Sequence, residues 1–240
     1  LQAQIIKYQA KIEEALYLDL GKSFFDSYLT EIGVVSYEIR HMLKNIKKWS
    51  NIKKVKTPLY LQTGKSRIYK EPYGTVLIIA PWNYPFHLTL LPLVGAIAAG
   101  NTAVLKPSEE APHTAKVIFE MINEAFQEDY IVVVNGDEKI SKELVKQHFD
   151  LIFYTGSTSV GMQVMQAASQ NLTPVILELG GKSPTILLRD ADVDMAAKRI
   201  VFGKFLNAGQ TCVAPDYVMV PHAIKEDFFH HLVAYIRLFY

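Results

Sequence analysis

The sequence predicts an α/β fold built on a doubly wound, mostly parallel sheet. From Thr75 onward, short apolar runs alternate with stretches of helical periodicity. The apolar runs lack the two-residue alternation of a sheet with one solvated face, so helices are expected to cover both faces. The 240 residues suffice for one large domain, or for one domain and part of another.

Two amphipathic helices are predicted ahead of the sheet. Apolar residues recur at near-helical spacing from Leu1 to Leu20, followed by Gly21, and again from Ile32 to Trp49. The first pattern begins without a capping signal, so the chain is expected to start partway into a helix.

A hairpin excursion is predicted over residues 56–73, where the helical period is absent. Residues 59–61 and 67–69 are apolar enough for two short strands, and Gly64 lies between them in a turn-forming segment.

The alternation beyond Thr75 gives the remaining elements. Five strands are predicted at 76–80, 102–105, 131–134, 151–154 and 175–177. Helices are predicted between them at 88–99, 114–126, 139–147 and 161–169. The start of a second α/β domain follows, with a strand at 186–188, a helix through Ala196 and Ile200, a strand at 217–220 and a helix at 224–238.

Composition excludes several functional classes. With 25 basic and 24 acidic residues the formal net charge is +1, which gives no electrostatic case for nucleic-acid binding. The lysines between residues 44 and 56 could contact an anionic surface, but a solvated helix end and loop explain them better. No apolar run reaches the ~18 residues of a transmembrane helix. The N-terminus has no signal-peptide pattern and there is one cysteine, so a cytoplasmic protein is expected.

The single cysteine, Cys212, lies among small and turn-forming residues in the segment 207–213. A thiolate is a strong nucleophile, and a lone cysteine cannot form an intrachain disulfide. The alternative is that Cys212 is a small buried apolar residue, which is common for a free cysteine.

Two further residues are catalytic candidates. Asn83 follows the strand 76–80 in a loop bounded by Pro81 and Pro85, where its amide could stabilise an oxyanion or form a local turn. Glu178 follows a predicted buried strand and precedes a glycine pair, which suits either a general base or a surface carboxylate.

Two segments have the context of a nucleotide site. The turn from Gly156 to Gly161 follows a strand and opens a helix. This context is typical of a pyrophosphate-binding turn, but an ordinary helix N-cap explains it equally well. Lys106 and Glu109 lie at the end of another strand, where doubly wound sheets bind their ligands, so both are candidates for ligand binding. The alternative is that they form a surface salt bridge. The histidines show no metal-binding spacing.

Together these motifs resemble the aldehyde dehydrogenase superfamily in order and spacing, and the run from Thr211 to Val218 is most similar to its class 3 branch. The resemblance implies that Cys212 is the nucleophile, forming a thiohemiacetal and then a thioester. It implies that Asn83 and the Cys212 N–H form the oxyanion hole and that Glu178 is the general base.

The resemblance also implies a Rossmann-like NAD(P)-binding domain over residues 1–203 and the first part of a catalytic domain over 204–240. Lys106 and Glu109 would bind the adenosine ribose, with NAD preferred and NADP possible. The pyrophosphate turn would comprise Gly156, Ser157, Thr158, Ser159, Val160 and Gly161. Segment 56–73 would bridge subunits of a homodimer.

Members of that family are about twice as long, so the chain is expected to lack its extreme N-terminus and most of the catalytic domain. Its predicted function is oxidation of a small-molecule aldehyde to a carboxylate, with no nucleic-acid partner and no transmembrane segment. The alternatives are an inactive dinucleotide-binding fragment and a phosphorylating semialdehyde dehydrogenase.

Overall fold

The computed structural model describes all residues from Leu1 to Tyr240. Two compact units are distinguished by their internal contacts, Leu1–Glu178 and Leu179–Tyr240. The domain boundary expected at 203/204 stays a prediction.

The first unit opens with the predicted helices. Helix α1 spans Gln2–Leu20 and ends at Gly21, whose φ of 66° is left-handed and therefore suits glycine. A short helix α2 at Phe24–Ser27 and a π-helical turn at Tyr28–Ile32 lead into helix α3 at Gly33–Trp49. The apolar faces of α1 and α3 are buried in the main hydrophobic core.

The hairpin is present, but its first strand is not where the sequence predicted it. Strand β1 spans Lys53–Val55 and pairs antiparallel with strand β2 at Ser66–Ile68. The predicted strand at Leu59–Leu61 is a 3₁₀ turn instead. Pro58 sets φ at its start, and Leu59 is 88% exposed, so no burial favours an extended conformation there.

The sheet confirms the predicted α/β class. Its strands are β3 (Thr75–Ile79), β4 (Thr102–Lys106), β5 (Ile131–Val133), β6 (Leu151–Gly156) and β7 (Val175–Leu179). The helices between them are α4 (Pro85–Ala98), α5 (Pro112–Ala125), α6 (Glu138–Leu144) and α7 (Thr158–Ser169). All nine predicted elements are found with boundaries that differ by three residues or fewer.

Strand order makes the sheet doubly wound. The order is β5-β4-β3-β6-β7, with β3 pairing in parallel with both β4 and β6. The chain therefore adds β4 and then β5 on one side of β3, and it then adds β6 and β7 on the other side of β3. Such a reversal leaves a crevice at the carboxyl ends of the two central strands, here β3 and β6.

Burial differs between the centre and the edge of the sheet. Residues Leu77, Ile78, Leu105 and Ile152 are fully buried, as a strand covered on both faces requires. Strand β7, predicted to be buried, instead alternates between half-buried and exposed residues. It pairs on one side only, because it is the last strand of the sheet.

The second unit contains strand β8 (Pro184–Ile186), helix α8 (Val193–Phe205), strand β9 (Tyr217–Met219) and helix α9 (Lys225–Phe239). The two strands pair in parallel. A small apolar core forms around Leu187, Ala197, Ile200 and Phe228. None of the helices in the structure combines the length and apolar character needed to cross a bilayer.

Candidate active site

A cleft of about 610 Å³ lies in the first unit at the carboxyl ends of β3, β4 and β6. Its walls come from residues 79–82 after β3, 108–110 after β4 and 154–157 at the end of β6, with further residues from α6 and α7. This is the crevice that the strand order creates, and ligands of doubly wound sheets bind there.

The predicted pyrophosphate turn forms part of this cleft. Ser157 is the N-cap of α7, and its hydroxyl accepts a hydrogen bond from the Val160 N–H at 3.3 Å. A Cβ at position 156 would collide with the Tyr154 hydroxyl, which accounts for Gly156. Gly156, Ser157 and Val160 line the cleft, whereas Thr158, Ser159 and Gly161 do not. The arrangement suits an anionic group held at a helix N-terminus.

Lys106 and Glu109 form an ion pair beside the same cleft. The Lys106 side chain is 1% exposed, and its ammonium donates to the Pro107 carbonyl at 2.7 Å and to the Glu109 carboxylate at 3.0 Å. Glu109 lines the cleft and is 39% exposed, while Lys106 does not line it. The pair therefore presents a carboxylate to a ligand, and its ammonium is engaged behind it.

Asn83 lies in the loop between β3 and α4, and it is half-buried. The loop is held by two residues that sequence reasoning missed. The Lys22 ammonium donates to the Asn83 main-chain carbonyl at 3.2 Å, and Lys22 is paired with Glu31. The Glu31 carboxylate accepts hydrogen bonds from main-chain N–H groups of α4.

Burial shapes the titration of this cluster. Burial lowers the pKa of Lys22, and the neighbouring Glu31 charge opposes that shift. Burial likewise raises the pKa of Glu31, against the opposing effect of Lys22. Burial also lowers the pKa of His87, on the first turn of α4. No pattern in the sequence marked Lys22 and Glu31, because their partners are distant in sequence.

Glu178 lies on strand β7 and is exposed. In this structure Glu178 is a surface carboxylate, which is one of the two alternatives that the sequence left open. The reason is its position on the outermost strand of the sheet, where alternate side chains face away from the helices. Its carboxylate is open to water, as a base that activates water requires.

Cys212 is a free and exposed thiol, which contradicts its interpretation as a small buried apolar residue. It lies in a turn that the Ala214 N–H closes onto the Thr211 carbonyl at 3.1 Å. A Cβ at Gly181 would lie 3.2 Å from the Cys212 carbonyl oxygen, so this glycine permits close approach of the two backbones.

The residues ahead of this turn have an uncommon backbone conformation. Asn207, Ala208 and Gly209 have φ values of 53°, 54° and 78°, so three successive residues are left-handed. For Ala208 this conformation is strained. The Asn207 side-chain amide donates to the Gln210 carbonyl at 3.3 Å across the turn. Strain of this kind is often found at functional sites.

The candidate residues are distributed over both units. Asn83, Glu178 and the nucleotide cleft belong to the first unit, and Cys212 belongs to the second. No group of three or more His, Cys, Asp or Glu side chains is placed to hold a metal ion.

Comparison with known proteins assigns the family. A sequence model of the aldehyde dehydrogenase family matches residues 1–239. The chain belongs to the aldehyde dehydrogenase family. This confirms the resemblance to that family.

Relatives include enzymes from bacteria and animals. The chain is 53% identical to 4,4'-diaponeurosporen-aldehyde dehydrogenase of Staphylococcus aureus, over all of the chain and 52% of that protein. It is 42% identical to aldehyde dehydrogenase family 3 member A2 of Pongo abelii, over all of the chain and 50% of that protein. The second match supports the predicted similarity to class 3. The chain spans about half the length of these relatives.

Solved structures give the same result. The substrate-bound state of a Staphylococcus aureus aldehyde dehydrogenase matches with a TM-score of 0.98 and 52% identity, over the whole chain and 52% of that structure. A Mycobacterium tuberculosis aldehyde dehydrogenase complexed with NAD⁺ matches with a TM-score of 0.89 and 28% identity, over 98% of the chain and 48% of that structure. A 43% identical rat relative, 53% of which the chain covers, is described as dimeric and NADP-preferring. These relatives indicate a nicotinamide dinucleotide cofactor.

Proposed function

We propose that the chain carries the nucleotide-binding cleft and the nucleophile of an enzyme that oxidises an aldehyde to a carboxylate with NAD(P)⁺. The observation that carries this proposal is the exposed Cys212 thiol, which follows a strained left-handed segment in a chain of the aldehyde dehydrogenase family. An exposed thiol can reach a substrate, whereas a buried one cannot.

The residues suit the nucleotide as a ligand. The amides at the N-terminus of α7, capped by Ser157, would hold the pyrophosphate, and Glu109 would accept hydrogen bonds from the adenosine ribose. When bound, the nicotinamide supplies the hydride acceptor. The chain's own residues perform the covalent chemistry.

In the first half-reaction, the Cys212 thiolate attacks the aldehyde carbon and a C–S bond forms. The carbonyl π electrons move to oxygen, and the Asn83 amide and the Cys212 N–H donate to the resulting oxyanion. Collapse of this thiohemiacetal restores the C=O bond and expels hydride, leaving a thioester. The substrate is oxidised by two electrons, which bound NAD(P)⁺ would accept as the hydride.

In the second half-reaction, Glu178 takes a proton from water, which attacks the thioester carbon. The C–S bond breaks and the thiolate leaves, giving the carboxylate. The overall balance consumes one aldehyde, one NAD(P)⁺ and one water, and it yields one carboxylate, one NAD(P)H and two protons.

The test is a stopped-flow measurement of reduced cofactor on the protein at its natural length, with NAD⁺ and a simple aldehyde. We expect Cys212→Ser to bind NAD⁺ normally and to give no burst, because a hydroxyl supplies almost no anion at neutral pH. Val213→Ala is the matched control, since this neighbouring side chain is 74% exposed and has no proposed role. Undiminished turnover by Cys212→Ser would refute the assignment.

Glu178→Gln separates the two half-reactions. We expect it to retain the burst and lose steady-state turnover, because an amide cannot take the proton from water. Loss of the burst as well would show that Glu178 also deprotonates Cys212. Phosphate-dependent formation of product would instead identify a phosphorylating enzyme.

A second candidate, a nucleotide-binding module without turnover, is supported by one observation. The whole cleft lies within the first unit, and the chain spans about half the length of its relatives. Such a module would be stabilised by NAD⁺ in proportion to RT ln(1 + [L]/Kd) and would show no aldehyde-dependent signal. A burst of reduced cofactor from the 240-residue chain would exclude it.

We further propose that the protein is a cytoplasmic homodimer in which the β1–β2 hairpin contributes to subunit contacts. The hairpin exposes Leu59 at 88% and Tyr60 at 83%, and apolar side chains of this exposure favour a covering partner. Sedimentation of the natural-length protein should give a dimer, and Leu59→Ser should weaken it. A monomer with no concentration dependence would contradict the proposal, and cell fractionation tests the location.

A further inference from the structure

A buried ion pair lies against the loop that carries Asn83. The side chains of Lys22 and Glu31 are 5% and 0% exposed, and their charged atoms are in direct contact. Lys22 follows the C-cap of α1, and Glu31 lies in the π-helical turn ahead of α3. Both residues therefore belong to the N-terminal helical region ahead of the nucleotide-binding sheet and not to the sheet itself.

The pair contacts the loop at Asn83 and on the C-terminal side of that residue. The Lys22 ammonium donates to the Asn83 carbonyl at 3.2 Å and lies 4.3 Å from the centre of the Tyr84 ring. One oxygen of Glu31 accepts hydrogen bonds from the N–H groups of Phe86 at 3.0 Å and His87 at 2.8 Å. These amides belong to the first turn of α4, where a carboxylate also complements the helix dipole.

Stability alone does not account for this arrangement. A buried ion pair seldom stabilises a fold more than apolar side chains of the same volume, because desolvating two charges offsets their attraction. Here the polar atoms of the pair contact main-chain groups at residues 83, 86 and 87. The pair therefore sets the path of the backbone from which the Asn83 side chain extends.

We propose that Lys22 and Glu31 are positioning residues that fix the Asn83 loop so that the asparagine amide meets the substrate oxyanion. The inference rests on the proposed function, in which Asn83 is an oxyanion donor. Neither residue touches substrate; each acts through the loop. A displacement of about 1 Å in a catalytic group can slow a reaction by about 10²-fold, so a loop anchor of this kind matters to the rate.

The test is a double-mutant cycle on the natural-length protein, measured as the rate of the reduced-cofactor burst. Lys22→Met removes the hydrogen bond to the Asn83 carbonyl, and we expect the burst to slow by about 10- to 100-fold. The Kd for NAD⁺ should not change, because Lys22 does not line the nucleotide cleft. In an Asn83→Ala background, Lys22→Met should have no further effect, since the group it positions is gone.

Lys11→Met is the matched control. Lys11 pairs with Glu120 at 3.2 Å, and both side chains are exposed, so the same substitution removes a surface ion pair away from the loop. Its burst rate should equal that of the wild type. A second variant, Lys22→Met/Glu31→Gln, buries no charge and retains an oxygen that can accept from Phe86 and His87. It should slow the burst as Lys22→Met does. This double variant replaces Lys22→Met in the test if the single variant is too unstable to measure.

The possible outcomes are distinguishable. If Lys22→Met slows the burst by the same factor in the wild-type and Asn83→Ala backgrounds, the substitution causes general structural damage. That result would overturn the proposal. So would an unchanged burst rate in both the single variant and Lys22→Met/Glu31→Gln. If Asn83→Ala itself leaves the burst unchanged, the oxyanion role of Asn83 fails, and the positioning role fails with it.

Discussion

Replacing Glu109 by Gln should change which dinucleotide the protein prefers. Glu109 presents a carboxylate to the cleft, while its partner Lys106 is 1% exposed and engaged behind it. A carboxylate at this position accepts hydrogen bonds from ribose hydroxyls and repels a 2′-phosphate. The wild type is therefore expected to prefer NAD⁺.

The size of the change follows from the exposure of the carboxylate. Two unit charges 4 Å apart interact by about 1 kcal/mol in water and about 4 kcal/mol at an effective dielectric constant of 20. With Glu109 39% exposed, repulsion of a neighbouring phosphate lies toward the lower figure. Removing this repulsion in Glu109→Gln should strengthen the binding free energy of NADP⁺ by about 1–2 kcal/mol, which lowers its Kd by roughly 5- to 30-fold. Loss of the ribose hydrogen bonds weakens NAD⁺ at the same time.

Direct titration measures the effect without turnover. Trp82 lines the cleft, so its fluorescence is the signal to follow during titration with nucleotide. We expect the ratio of the Kd for NADP⁺ to the Kd for NAD⁺ to fall by at least about 10-fold in Glu109→Gln. Glu120→Gln makes the same change of charge on α5 outside the cleft, and it should leave the ratio unaltered.

Two results would refute this reasoning. If the wild type binds NADP⁺ as tightly as NAD⁺, the Glu109 carboxylate does not discriminate between them. If Glu109→Gln and Glu120→Gln shift the ratio equally, the effect comes from net charge and not from the position of Glu109.

Three other predictions test the fold and the cysteine turn. Ala208→Gly should raise the free energy of unfolding by about 1 kcal/mol, since glycine adopts a φ of 54° without strain; denaturant titration would contradict this by showing no gain. Leu16→Ala should lower it by about 2–5 kcal/mol, because Leu16 is fully buried in the main core, and a loss below 1 kcal/mol would count against that packing. Hydrogen bonds from Lys7 and Tyr8 lower the pKa of Glu124 to about 2 from an ordinary 4.5. The contribution of Glu124 to the free energy of unfolding should be fully present above pH 4.5 and should decline as the pH falls toward 2. Glu124→Gln should remove this pH dependence from a plot of unfolding free energy against pH.

The sheet and its helices were predictable because their signals are local. A strand covered on both faces must be apolar throughout, and the helices between strands repeat every three to four residues. The largest boundary errors, of three residues, fell at the starts of α4 and α7 and at the end of α6. Helix α4 begins at Pro85, three residues earlier than predicted, because proline fits the first turn of a helix and has no amide hydrogen to satisfy there.

The errors that remain have non-local causes. The stretch Leu59–Leu61 has the residues of a strand, but β2 pairs with Lys53–Val55 instead. The Lys22–Glu31 pair joins residues nine apart and then contacts a loop more than fifty residues away. Charged residues in a helical pattern normally indicate a solvated face, so nothing local distinguishes these two from surface residues.

Strand order explains why separate sequence motifs form one cleft. The glycine turn and the asparagine loop follow strands β6 and β3, which are far apart in the chain. These strands are neighbours in the sheet, in a register that aligns Ile79 with Tyr154. The segments that begin at 80 and 155 therefore leave the same edge side by side, and both line the cleft. Had β6 been added next to β5, the same local elements would have formed without bringing these two segments together. The nucleotide site is therefore a consequence of topology, and the motifs act together only because the chain reverses its direction of addition at β3.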